Sequence, residues 1–228
     1  MRKSTSQRLP SPHFEDLAFI VLSARPGGEG FSLYPDIDDA LRSRLKSRLR
    51  QLFRYDWPSC VRKDPDFRKG MTLQQCYRLM VGLLLVDAHL PPSLAVMLAQ
   101  HNELGFLRTI ALSLGEPDGH GSIGKEAFAV VLATEIQSPL GFPDRAPLEE
   151  DLIRFVRKSE IANLWSTNLS CSGARTVINI ACPSTALWRW ISERRLMDDT
   201  ARLDLLTHIA AQSIQPPFER KGDRKQRR

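Results

Sequence analysis

The chain reads as a mainly α protein of α+β class, a helical core with a minor β component. Three observations carry this reading. Apolar residues recur at helical spacing from Ile37 through Leu41, Leu45, Leu49, Leu52 and Phe53. A capping-box pair, Thr72 and Gln75, opens a long apolar stretch. Thr176 to Ala181 alternates enough to read as a β-strand. A content of 42% hydrophobic and 25% charged residues is ordinary globular usage, so the 228 residues can bury a core.

In chain order, residues 1–13 are polar and proline-containing and are expected to be flexible. Ala18 to Ala24 is apolar and reads as a short strand, closed by the breaker cluster Pro26-Gly27-Gly28. The leucine-striped segment from Ile37 is a helix that Asp36, Asp38 and Asp39 favour at its start through the helix dipole. It must end before Pro58, because a residue preceding proline is pushed out of the α region.

The next helix runs from Thr72 to about Ala88 and is apolar nearly all round, which places it in the interior. Pro91-Pro92 end it and open a third helix, Ser93 to about His101, packed back as a hairpin. Phe106 to Leu114 and Lys125 to Ile136 are each compatible with helix or strand. Pro147 to about Leu164 reads as a helix with Glu149, Glu150 and Asp151 in its first turn. Ser184 is placed to cap a helix running to about Met197, and Thr200 to Gln212 forms the last one. The divisions are a flexible segment 1–13, a basic helical domain 14–115, an α/β portion 116–216 that can belong to the same domain, and a basic disordered tail 217–228.

Charge is unevenly distributed. Net charge is +6, yet residues 42–69 hold ten cations against three acids, a net of +7, and 218–228 hold six against two, a net of +4. Residues 111–160 are acidic at −4. Concentrated positive charge favours an anionic partner such as nucleic acid. The candidate phosphate contacts are Arg42, Arg44, Lys46, Arg48, Arg50, Arg54, Arg62, Lys63, Arg68 and Lys69. Arg42, Lys46, Arg50 and Arg54 form an i, i+4 row on one flank of the leucine stripe, with Arg44 and Arg48 on the other. Tyr55 and Trp57 stand at the junction, where a ring could pack on a sugar or base. The tail cations Arg220, Lys221, Arg224, Lys225, Arg227 and Arg228 would add long-range attraction.

Residues 71–102 (MTLQQCYRLMVGLLLVDAHLPPSLAVMLAQHN) resemble the helix pair of MerR-type helix-turn-helix regulators. Leu83 to Asp87, the turn His89-Leu90-Pro91-Pro92 and Ser93 to Leu98 occupy the places of helix, turn and helix. The resemblance covers 32 of the 228 residues and implies a DNA-binding transcriptional regulator of bacterial type. The family's DNA-reading residues lie in an earlier helix pair and wing, whose motif is not found in residues 1–70. On the second helix of the pair, Ser93, Gln100, His101 and Asn102 are the only side chains suited to base edges, which makes it a poor recognition helix by itself. Core packing is the other role open to these two helices.

The remaining signals point away from chemistry. Gly119-His120-Gly121-Ser122-Ile123-Gly124 matches GxGxxG spacing, with Asp144 beyond it, but Gly115-Glu116-Pro117-Asp118 separates it from the preceding segment, so it reads as a loop. His13, His89, His101, His120 and His208 are scattered, and Cys60, Cys76, Cys171 and Cys182 show no CxxC spacing, so neither metal nor cofactor is expected. No GxSxG elbow is present, although a site built from distant residues stays open. The cysteines read as reduced thiols in a cytosol, with no secretory leader and no membrane span expected. Trp188 and Ile191 share a face at i, i+3 and either anchor a second copy or belong to the core. A nucleic-acid-binding regulator is therefore expected first, and a protein-interaction or assembly module second.

Overall fold

A computed structural model describes residues 7–25, 31–58, 64–115, 127–132, 153–157, 159–161 and 175–214. Its architecture is mainly helical with a small sheet, as expected. The elements are α1 (Phe14–Ser23), α2 (Asp39–Arg54), α3 (Leu73–Asp87), α4 (Pro92–His101), α5 (Glu103–Leu114), β1 (Ala127–Leu132), β2 (Ile153–Arg157), β3 (Arg175–Asn179), α6 (Ala181–Glu193) and α7 (Asp199–Ile214).

The all-round apolar helix takes the centre. Leu73, Cys76, Tyr77, Leu79, Met80, Val81, Leu83 and Leu85 of α3 are buried, and α1, α2, α4, α5, α6 and α7 all pack against it. The Thr72–Gln75 capping box is formed in both directions: the Gln75 N–H donates to Thr72 Oγ1 at 3.3 Å and the Thr72 N–H donates to Gln75 Oε1 at 2.9 Å. Gly82 explains why the apolar run is interrupted. A Cβ there would lie 2.6 Å from Trp57 Nε1, so the missing side chain lets the indole lie against α3, where Nε1 donates to the Arg78 carbonyl at 2.8 Å.

The segment expected to be flexible is pinned from Gln7 onward. Leu9 is fully buried and exchanges backbone hydrogen bonds with Met71 at 2.7 and 2.9 Å. Gly70 makes this approach feasible: its φ is 127°, and a Cβ would lie 2.1 Å from the Leu9 carbonyl oxygen. Arg8 locks the join by donating to Asp64 at 2.8 Å and to the Gly70 carbonyl at 2.9 Å.

Three other expectations are corrected. Ala18 to Ala24 is no strand, because Phe14, Leu17, Ala18 and Val21 lie at i, i+3, i+4 and i+7 and bury one face of α1 against the core. The helix expected over Pro147 to Leu164 contains β2, which pairs antiparallel with β1 in a sheet of order β2-β1-β3, with Ala129 opposite both Phe155 and Ile178. Ser184 does not cap α6. It lies fully buried inside the first turn, and its hydroxyl donates to the Ile180 carbonyl at 2.7 Å. Phe106 to Leu114 resolves to helix, and Lys125 to Ile136 contains β1.

The sheet packs on α5, where the Phe106 and Phe155 rings meet edge to face at 5.0 Å, and α6 and α7 close over α5 and α3. One apolar core runs through all of these elements, from Leu9 to Ile209. Among the described residues no helix is long and apolar enough to cross a membrane. The GxGxxG loop at 119–124 and the tail at 217–228 lie outside the described residues.

Candidate nucleic-acid interface

Helix α2 forms where the leucine stripe expects it. Asp38 caps it, its carboxylate accepting from the Leu41 N–H at 2.6 Å, and the helix ends at Arg54, just before the turn at 55–58. Leu45, Leu49 and Leu52 are buried, which turns the cations onto the two flanks and the outer face. The flanks differ in what surrounds them.

On the first flank stand Arg42, Lys46 and Arg50, with Arg54 following at the helix end. Phe53 shares this side, three residues on from Arg50 and seven on from Lys46, and its ring packs edge to face on Phe67 at 5.8 Å. Phe14 contacts both rings, at 6.3 and 6.0 Å. This aromatic trio packs the short turn Phe67–Lys69, which carries Arg68 and Lys69, beside α2. Lys46, Arg50, Arg54, Arg68 and Lys69 are exposed, and Arg42 is half-buried.

Carboxylates engage some of these cations. Arg42 lies 4.0 Å from Glu15 of α1, and Lys69 lies 2.8 Å from Asp66. The Lys69 pair sits at the surface, where such contacts contribute little, whereas the Arg42 pair is partly buried on its Glu15 side. Among the described residues no ion pair reaches Lys46, Arg50 or Arg68.

On the second flank, Arg44 and Arg48 lie away from that cluster. Arg48 pairs with Asp87 at the end of α3 at 2.7 Å, and both arginines border a cleft between α1 and α2 together with Arg25. The eight expected cations among the described residues thus divide into two groups facing different surroundings. Arg62 and Lys63 lie outside the described residues, as do the six tail cations. Of the two rings expected at the junction, Tyr55 is half exposed but Trp57 is 1% exposed and locked against Gly82. A nucleotide cannot stack on an indole buried beneath α3.

In the helix pair α3–α4, Ser93, Gln100 and His101 are exposed and Asn102 is half-buried, while Ala95, Val96, Leu98 and Ala99 face the core. On α6, Ile191 is fully buried in the chain's own core, which removes it as an anchor for a second copy. Trp188 is half-buried, with the Arg202 guanidinium 5.8 Å over its ring.

Other chemistry is sparse. Burial pushes the Cys76 thiol far up from its ordinary range, so it stays protonated and inert within α3. Among the described residues no group of three or more histidines, cysteines and carboxylates stands where it could hold a metal ion. No family model, no curated protein and no solved structure matches the chain.

Proposed function

We propose that the protein binds nucleic acid, duplex DNA in the first instance, by gripping phosphates with the flank formed by Lys46, Arg50, Arg54, Arg68 and Lys69, with Arg42 at its edge. What supports the proposal is the Phe14–Phe53–Phe67 cluster, which packs the turn carrying Arg68 and Lys69 beside the helix carrying Lys46 and Arg50. Successive cations of the i, i+4 row rise about 6 Å along the helix, so the row presents a line of charge rather than a point. Long cationic side chains on a rigid helix suit the phosphate backbone, where contacts fix position without reading sequence.

Duplex DNA is preferred over RNA on the resemblance of residues 71–102 to MerR-type regulators, and a role in transcriptional regulation rests on the same resemblance. Specificity, in this reading, comes from Ser93, Gln100 and His101 on the exposed edge of α4, since the basic flank itself offers only charge.

The test is a gel-shift comparison on two duplexes of unrelated sequence at low salt. The triple variant Lys46→Ala/Arg50→Ala/Arg68→Ala should weaken binding of both to the same degree, as expected for phosphate contacts. No retardation of either duplex by the wild-type chain, together with a protein partner retained from lysate after nuclease treatment, would favour an assembly module instead.

A further inference from the structure

The cleft on the opposite flank of α2 has a different character from the phosphate-facing side. Its volume is about 470 Å³. Phe19 and Leu22 of α1 and Leu41 and Leu45 of α2 supply an apolar lining, and Arg25, Arg44 and Arg48 stand around it against the single carboxylate of Asp87. That volume falls in the range, about 300–1,000 Å³, in which folded proteins take up a whole small molecule. It is larger than one inserted side chain would require.

The three guanidiniums are unequally occupied. Arg48 is engaged by Asp87 at 2.7 Å. Arg25 uses Nη1 on the Leu22 and Ala24 carbonyls at 3.2 and 3.0 Å, which holds its head at the end of α1, and no ion pair reaches it among the described residues. Arg44 is exposed, with no ion pair to any described residue. An apolar lining beside two available guanidiniums matches a molecule with an apolar body and one anionic group. A neutral apolar molecule would leave those cations unused, and a bare inorganic anion would leave the lining unfilled.

We infer that this cleft is a binding site for a small amphipathic anion, with an apolar tail lying between α1 and α2 and a carboxylate or sulfonate head held by Arg44 and Arg25. Asp87 orients the ligand by repelling the head from the Arg48 end. The site is separate from the phosphate-facing flank and stands or falls independently of it.

Anilinonaphthalene sulfonate and decanoate are suitable probes for the full chain. The fluorescent sulfonate should bind the native protein and be displaced by decanoate below its micelle concentration, and decanoate should raise the melting midpoint more than decanol does. Arg44→Ala should weaken decanoate binding about tenfold, the loss expected for one charged hydrogen bond. Ser23→Glu, which sets a carboxylate on the cleft wall, should abolish it. Arg189→Ala, an exposed charge loss on α6, should leave the affinity unchanged. Equal effects of decanol and decanoate, or equal weakening by Arg44→Ala and Arg189→Ala, would overturn the assignment. Displacement of the sulfonate by an acidic amphipathic peptide but not by decanoate would also overturn it, by giving the cleft to a protein partner.

Discussion

Trp57 and Gly82 depend on each other. The indole fits because position 82 has no Cβ, and its Nε1 would be an unsatisfied buried donor without the Arg78 carbonyl. Gly82→Ala should therefore destabilise by about 1–3 kcal/mol through overpacking, despite alanine's better helix propensity, and a lowered urea midpoint would show it. The sequence alone offers Trp57 to a ligand and singles out no role for Gly82. Neither residue alone carries the information that they meet, because 25 residues separate them in the chain. Asp64 is a second such case. The side-chain hydrogen bond from Arg8 holds its carboxyl below the ordinary value of 3.8, with Gln75 adding to the effect. A depressed folded pKa contributes stability above the unfolded carboxylate range, and this is lost as pH falls through the folded value. Asp64→Asn should accordingly lower the urea midpoint at neutral pH and flatten its decline toward about pH 3. An unchanged acid slope would show that the Arg8 contact does not couple folding to this proton.

At the scale of elements, helices with a complete local signature were legible: α2 through its leucine stripe and the acids Asp36, Asp38 and Asp39 at its start, α3 through its capping box, α4 through its opening prolines. The two misread elements fail for different reasons. In α1 the β-branched pair Ile20-Val21 suggests a strand, whereas Phe14, Leu17, Ala18 and Val21 already carry the helical period, so the signal was present and outweighed. Strand β2 has no such internal signal strong enough to decide. Its state is set by pairing with β1 across roughly twenty intervening residues, a non-local contact that local propensity does not encode. The candidate site divides similarly. Its cations could be read directly, including the i, i+4 row, but their grouping could not, because Phe67 reaches Phe53 only through tertiary packing. Arg25 carried no signal at all, lying beside a breaker cluster with no periodicity. Phe67→Ala should separate the two basic segments as well as enlarge a gap in the aromatic trio. Its duplex affinity should fall although no cation is removed, while Leu112→Ala on exposed α5 surface should leave affinity unaltered.

Across the whole molecule, α6 is the element that ties the late part of the chain to the early part. It packs on α1 and α5, with Leu187, Trp190 and Ile191 fully buried. Leu187→Ala should cost about 2–5 kcal/mol, and tryptophan fluorescence and far-ultraviolet dichroism should report the same single unfolding transition in wild type and variant. Two separated transitions would mean that the early and late portions fold independently. The division of charge is also a whole-molecule property. Helix α2 presents an open basic flank on one side and a cleft with arginines on the other, because its leucine stripe is buried between them. The most direct measurement of the central claim is the salt dependence of duplex binding by fluorescence anisotropy. Four or five phosphate contacts predict a slope of log affinity against log salt of about −4, with the Lys46→Ala/Arg50→Ala/Arg68→Ala variant shallower by about 3. A flat response in the wild-type chain, or a slope that the triple variant leaves intact, would contradict phosphate binding by this flank.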